Sequence, residues 1–222
     1  MLGVSWLQVK PEGCLSMTTN RSESAGGGTP LGRPAAVPSL ARSLLTGGLG
    51  FCLVSLCVFA TVAFAERWMY TNLGLLGAYL AWTALFILLG GAAIGSLAVG
   101  RWRLPKFYLL FGAAFFAYAV GWVVAYFFLR GATGEWVGSL AGSLLMALVF
   151  AVGFGAARSA LKLSAALFVT NSVGYFIGSA LFERLGGEVG MLLWGGVYGL
   201  CLGAGLGAVM HFAQTRHADS AS

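Results

Sequence analysis

Thr170, Asn171 and Ser172 place three adjacent polar side chains in the middle of an otherwise apolar stretch, LFVTNSVGYFIGSALF. If this stretch is a helix in lipid, each hydroxyl can donate to the carbonyl four residues earlier, so Thr170 and Ser172 need no further partner. The side-chain amide of Asn171 carries two donors and an acceptor and lacks that local outlet. The residue therefore predicts either a hydrogen bond to another helix or a contact with a ligand or ion near the bilayer midplane.

The helix face that carries Asn171 is made of small residues. Gly174 and Gly178 follow Asn171 at helical spacing, which places the three on one side of a helix. Small residues let two membrane helices approach closely, so this side is expected to pack inward. The side chains that we expect to line a passage for a solute are Thr170, Asn171, Ser172 and Tyr175.

The elements that must hold these residues are membrane helices. Of the 222 residues, 59% are hydrophobic and 9% are charged, whereas about a quarter of the residues in a soluble domain are charged. The charges divide the chain into six uncharged stretches, each near the roughly 20 residues that cross ~30 Å of hydrocarbon as a helix. The strands of a β-barrel would be shorter and would alternate polar with apolar residues. The sequence predicts an all-α, polytopic bundle of six transmembrane helices, at about 44–65, 73–99, 107–129, 136–156, 163–182 and 189–212.

Two terminal segments flank the predicted bundle. Residues 1–43 hold four of the five prolines and the run SESAGGGTP without a sustained apolar periodicity, which predicts a disordered tail. The segment also lacks the basic start and apolar core of a signal peptide. Residues 213–222 are predicted to form a second, shorter tail.

The distribution of Lys and Arg predicts the orientation of the bundle. These residues are concentrated in the tails and in the second and fourth connectors, and positively charged segments stay in the cytoplasm. Both termini are therefore predicted to be cytoplasmic, and the Arg-, Ala- and Gly-rich composition, typical of a GC-rich genome, favours a bacterial inner membrane. The net charge of +6 follows from this topology and does not indicate nucleic-acid binding. The residues expected to contact lipid headgroups are Arg101, Arg103 and Lys106.

Glycine accounts for 34 residues, about twice its usual share. Glycines four residues apart expose a strip of helix backbone against which another helix can pack. The predicted helix-packing positions are Gly91, Gly95, Gly138, Gly142, Gly174, Gly178, Gly195, Gly199, Gly203 and Gly207. Packing inside the bundle is favoured over association between copies, because six helices contain enough interfaces to use every strip.

The two halves of the chain resemble one another after a shift of 83 residues. The shift aligns GAAIGSLAVGRWRLPKFYLLFGAAF, which begins at Gly91, with GYFIGSALFERLGGEVGMLLWGGVY, which begins at Gly174, and eight positions are identical. Three helices per half reverse the chain direction, so the repeat would be inverted, as in many transporters whose site lies between the halves. The alignment makes a 3+3 repeat a candidate architecture, but Asn171 aligns with the apolar Leu88, which counts against a site shared by the two halves.

Charged groups are missing from the interior of all six stretches. Proton relays and intramembrane metal sites generally need buried ionisable groups, and a nucleophilic serine needs a neighbouring base. The cysteines form no CxxC pair, and those within the predicted spans are expected to behave as small apolar residues. We therefore expect no enzymatic activity, no metal site and no cofactor.

Two functions remain open from the sequence. The first is a small passive carrier or channel-like protein for a neutral solute. The second is a non-catalytic structural or accessory subunit of a membrane complex, in which the glycine strips only pack helices. A polar cavity that reaches Asn171 would favour the carrier, and a closed core would favour the subunit. The expected partners are the lipid bilayer and either a second copy of the chain or another membrane subunit.

Overall fold

The computed structural model describes residues 37–98 and 103–219, with side chains for 37–98 and 105–215. Within these ranges the chain is all-α, as predicted, and contains no strand. Five helices are long and apolar enough to cross a membrane, which indicates a membrane protein. They are α1 (Leu40–Gly95), α2 (Arg103–Leu129), α3 (Gly131–Gly153), α4 (Ala160–Leu185) and α5 (Gly187–Asp219), with a short 3-10 helix (Ala157–Ser159) before α4.

Helix α1 is a hairpin of two antiparallel halves. Its backbone leaves the helical conformation at Gly74, where φ is 68° and ψ is 177°. The rings of Phe51 and Phe86 stack with their centroids 5.7 Å apart, although a straight helix would separate these residues by about 50 Å. The predicted connector 66–72 is wrong, because these residues are helical and the chain reverses at a single glycine that tolerates positive φ.

The other two turns at this end of the bundle are equally short. Arg130 alone joins α2 to α3, and Gly186 alone joins α4 to α5, both with positive φ. The amide of Arg130 donates to the carbonyl of Tyr126 at 2.8 Å, and that of Gly186 donates to Phe182 at 2.8 Å, so each helix is hydrogen-bonded up to its turn. The connectors expected around 130–135 and 183–188 are therefore almost entirely helical.

The helical part of the chain extends further at both ends than the sequence predicts. Residues 1–36 of the predicted disordered tail lie outside the described residues, but α1 already begins at Leu40, where the Ser39 hydroxyl caps it by accepting from the Arg42 amide at 3.4 Å. At the other end α5 continues through the predicted tail to Asp219. Gln214 fixes this extension, because its amide donates to the Leu97 carbonyl at 3.1 Å.

Helix α5 lies between α1 and α4 and packs extensively on both, and α2 packs mainly on α3. Fully buried aromatic and aliphatic side chains fill the centre, among them Phe111, Phe150 and Leu206. Large apolar side chains also cover the outside, where Leu76 is 74% exposed and Phe128 is 85% exposed. An outer surface of this kind indicates contact with lipid, since a water-soluble protein rarely exposes so much contiguous apolar surface.

Candidate aromatic binding site

Asn171 on α4 hydrogen-bonds to two other helices. Its Oδ1 accepts from the Tyr118 hydroxyl on α2 at 2.8 Å, and its Nδ2 donates to the Ser139 hydroxyl on α3 at 2.7 Å. The side chain is fully buried. The sequence allows Asn171 either a hydrogen bond to another helix or a contact with a ligand or ion. The observed geometry is that of a hydrogen bond between helices.

The hydrogen bonds of Asn171 continue in both directions. Ser139 bonds the Ser172 hydroxyl at 2.7 Å, and Tyr118 bonds the Tyr198 hydroxyl on α5 at 2.9 Å. Because the only hydroxyl proton of Tyr118 goes to Asn171, Tyr198 is the donor in the second pair. These five residues form a buried polar cluster that joins α2, α3, α4 and α5.

Thr170 and Ser172 differ in how they bond. Thr170 donates to the Ala166 carbonyl at 2.9 Å, within its own helix as expected. Ser172 bonds across to α3, contrary to the expectation of a bond within α4. The sequence could not reveal this contact, because it depends on which helix lies opposite.

A cavity of about 220 Å³ lies beside the polar cluster, between both halves of α1 and helices α2, α4 and α5. Tyr175 lines it, as do Tyr118 and Tyr198 from the cluster, but Thr170, Asn171 and Ser172 are not among its lining residues. Ten of the lining residues are aromatic and none is charged: Phe59, Tyr79, Trp82, Phe86, Phe115, Tyr118, Trp122, Tyr175, Trp194 and Tyr198. We call this space the aromatic cavity.

The walls of the aromatic cavity are rings that pack against one another. Trp82 meets Tyr79 edge to face with centroids 5.6 Å apart, and Tyr175 meets Trp194 edge to face at 5.5 Å. Trp122 packs on the other side of Tyr175 at 5.8 Å. Edge-to-face pairs of this kind add roughly 0.5–1.5 kcal/mol beyond the area that they bury. Neighbouring rings therefore restrain each other and keep the cavity open.

The three indole N–H groups of the cavity are turned away from its open space. The Nε1 atoms of Trp82, Trp122 and Trp194 are buried with almost no accessible surface and have no hydrogen-bond partner in the described part of the chain. A solute in the cavity would therefore meet the carbon skeletons of these rings. The lining of the cavity is therefore mostly apolar and largely aromatic.

Glycines on α3 and α4 provide the space that the cavity rings occupy. A methyl group on Gly142 would lie 2.7 Å from the Tyr118 ring, and one on Gly138 would lie 3.2 Å from the Trp122 ring. On α4 the corresponding contact of Gly174 is the Tyr198 backbone, at 3.1 Å. The fourth such glycine, Gly178, faces the Trp194 ring. A side chain at Gly138, Gly142 or Gly178 would displace an aromatic ring of the cavity, and one at Gly174 would meet the Cys201 Cβ at 2.8 Å and the Tyr198 backbone.

The glycines of α5 face the first half of α1 instead. A methyl group on Gly199 would lie 2.7 Å from the Phe51 carbonyl oxygen, and one on Gly207 would lie 2.7 Å from the Ser43 carbonyl carbon. Gly203 faces the Gly47 backbone directly, and Gly195 faces the Phe59 ring. Of the remaining predicted packing positions, Gly91 faces the Tyr108 ring and Gly95 is buried.

A carboxylate lies next to one tyrosine of the cavity wall. Tyr175 lies beside Glu135, whereas Glu66 lies beside Tyr70, outside the cavity wall, and interacts with Tyr79 only at longer range. We call this end of the bundle the glutamate end, and it also carries Glu183 and Glu188. At the opposite end Lys106 is exposed, whereas Arg101 and the side chain of Arg103 lie outside the described residues.

Sequence reasoning missed the aromatic cavity. It treated aromatic residues as markers of the membrane interface, which suits Trp68 at 61% exposed. The available signal was the position of Trp82 and Trp122 inside their predicted spans, away from the interface where tryptophan is usually enriched.

A comparison of the chain with protein-family models, with curated proteins and with solved structures finds no match.

Proposed function

We propose that the chain crosses the membrane six times, with α1 counted as two spans, and that both termini lie in the cytoplasm. The reversal at Gly74 supports the count, because each half of α1 reaches the roughly 20 residues that a span requires. The exposed Arg42, Lys106, Arg158 and Lys162 at one end, against Arg67, Arg130 and Arg184 at the other, support the orientation.

The proposal includes the 3+3 inverted repeat. Under the shift of 83 residues the first half of α1 corresponds to α3, and α2 corresponds to α5. Two extensive interfaces, α1 with α5 and α3 with α2, are then equivalent to each other. The shift also pairs Phe115 with Tyr198, and both rings line the aromatic cavity. A site between inverted halves is the usual arrangement in carriers.

The proposed function is that of a non-enzymatic passive carrier or channel-like protein for a small solute, either neutral or with at most a diffuse charge. The observation that carries this proposal is the aromatic cavity, which is lined by helices of both halves and contains no charged side chain. Because no ion pair is available there, binding must come from contact with the rings.

Filling the cavity tests the proposal. Ala119 lines the cavity, so Ala119→Phe should reduce solute flux into liposomes at least about tenfold by occupying the site. The matched control is Ala113→Phe on the exposed side of the same helix, which should leave flux unchanged. The assay uses purified full-length protein and a panel of neutral and cationic solutes.

A non-catalytic accessory subunit is the second candidate function. It is favoured by the polar cluster, in which Asn171 is fully buried and bonded to protein groups on both sides. If no solute in the panel crosses faster than in empty liposomes, and Ala119→Phe behaves like Ala113→Phe, the accessory role replaces the carrier.

A further inference from the structure

We propose that the aromatic cavity binds a small organic cation of the quaternary ammonium class. This inference rests on the proposed function and narrows its solute to one chemical class. A compact cation with its charge spread over methyl groups loses little hydration on entering an apolar site and is attracted by the faces of aromatic rings, most strongly by tryptophan. The cavity offers ten such rings from five helical segments.

The polar groups of the cavity wall select against anions. The three indole N–H groups have almost no accessible surface, and the hydroxyl protons of Tyr118 and Tyr198 are donated to Asn171 and to Tyr118 respectively. The Tyr198 oxygen keeps an acceptor lone pair. These five aromatic residues therefore withhold their N–H and O–H protons from the cavity.

The electrostatics of the rim favour a cation. Glu135 lies beside Tyr175, so one carboxylate adjoins the cavity wall, on α3, and the exposed Glu66 on α1 acts on Tyr79 from farther away. The arginines at this end, Arg67, Arg130 and Arg184, are all exposed, and none lines the cavity. The carboxylates can attract a cation toward the rings without forming an ion pair inside the cavity.

The size and chemistry of the cavity exclude other cations. A volume of about 220 Å³ is smaller than the roughly 300–1,000 Å³ of sites for drug-sized molecules, so the occupant has to be as small as choline or tetramethylammonium. Inorganic cations such as Mg²⁺ or Ca²⁺ require several oxygen ligands, which this mostly carbon surface does not supply.

The test compares choline with 3,3-dimethylbutan-1-ol, its neutral isostere, in which carbon replaces the quaternary nitrogen. Binding of radiolabelled choline to full-length protein in micelles is measured by a scintillation proximity assay, with the isostere as competitor. Choline should bind at least about tenfold more tightly than the isostere, because only the charged molecule gains the cation–π attraction.

Two substitutions locate the binding site. Trp82→Phe keeps a ring in the cavity wall but weakens the cation–π attraction, so it should weaken choline binding about three- to tenfold and leave binding of the isostere nearly unchanged. The control, Trp68→Phe, alters an exposed tryptophan and should leave both affinities unchanged. The elution volume in size-exclusion chromatography shows whether each variant is folded.

The remaining outcomes separate this inference from the proposed function. If choline and the isostere bind with equal affinity, and Ala119→Phe abolishes the binding of both, the cation inference is overturned and the proposed carrier function still holds. Choline binding that is indifferent to both Trp82→Phe and Ala119→Phe would place the site elsewhere and overturn the inference. Tighter binding of acetate than of choline would also overturn it. If neither ligand binds and Ala119→Phe does not change flux, both proposals fail.

Discussion

Helix α5 has two sides that use glycine differently. Toward the first half of α1, Gly199, Gly203 and Gly207 bring backbone against backbone and leave no space between the helices. Toward α4, Gly178 faces the Trp194 ring of α5, which borders the aromatic cavity. A glycine in the interface of α5 with α1 therefore lets the two helix backbones touch, whereas a glycine on α4 makes room for an aromatic ring that borders the cavity. The group opposite the glycine determines which of the two occurs.

The largest effect is expected where backbones touch. In Gly203→Ala the new methyl group would lie 2.6 Å from the Phe51 Cβ and against the Gly47 backbone, neither of which can rotate away. Overpacking of this kind costs about 1–3 kcal/mol and sometimes more, so we expect a loss near the upper end of that range in the free energy of unfolding. Reversible unfolding in mixed micelles, followed by circular dichroism, measures it.

The matched control for Gly203→Ala is Gly196→Ala on the same helix. There the added methyl group lies 3.6 Å from the Leu56 side chain, an ordinary van der Waals contact. Its unfolding free energy should stay within about 0.5 kcal/mol of the parent protein. Equal effects of the two substitutions would contradict the close backbone contact between α1 and α5.

An intermediate effect is expected on the cavity side from Asn171→Leu. The substitution removes the bonds to Tyr118 and Ser139 and leaves their hydroxyls without these partners. An average interhelical bond in a membrane contributes about 0.6 kcal/mol, and buried groups left unpaired add to the loss. The free energy of unfolding should fall by about 1–2 kcal/mol in the same unfolding assay.

Asn72→Leu serves as the control for Asn171. Asn72 is exposed, and its Nδ2 donates to the Trp68 carbonyl of its own helix at 2.8 Å, so no other helix loses a bond. A stability change as large as that of Asn171→Leu would show that the polar cluster does not join the helices.

The smallest effect on stability is expected where a glycine faces a ring. In Gly142→Ala the new methyl group would lie 2.7 Å from the Tyr118 ring, which can shift into the adjacent cavity at a cost of about 1 kcal/mol. That shift should nevertheless weaken choline binding several-fold in the scintillation assay. Gly112→Ala, with its nearest contact at 3.4 Å from Ile87, provides the control. Unaltered choline binding in Gly142→Ala would show that this glycine of α3 does not determine the shape of the cavity.

The sequence predicts features that depend on local chemistry. Continuous apolar runs predict the helices, and the hydroxyl of Thr170 finds its partner one turn earlier, as expected. The reversal lies at Gly74, just after the predicted connector 66–72, because the charges of Glu66 and Arg67 predict the end of a span at Ala65 while the helix continues past them. Long charged side chains near a helix end can reach the membrane surface, so they do not require the helix to stop.

Features that depend on the neighbouring helix could not be predicted. The spacing of Gly138 and Gly203 indicates two packing strips, but it does not reveal that the first meets an indole and the second meets a bare backbone. Similarly, the amide of Asn171 predicts a partner without identifying Tyr118 or Ser139. The identity of these partners depends on which helices lie next to each other, and the local sequence pattern does not contain that information.

The single-residue turns at Gly74, Arg130 and Gly186 have a mechanical consequence. Each one binds two antiparallel helices into a unit that is fixed at the glutamate end. The aromatic cavity is bordered by all three units, so a change in its width requires one unit to tilt against another while every turn keeps its conformation. Under the proposed carrier function, this tilting would admit and release a solute without the unwinding of any helix.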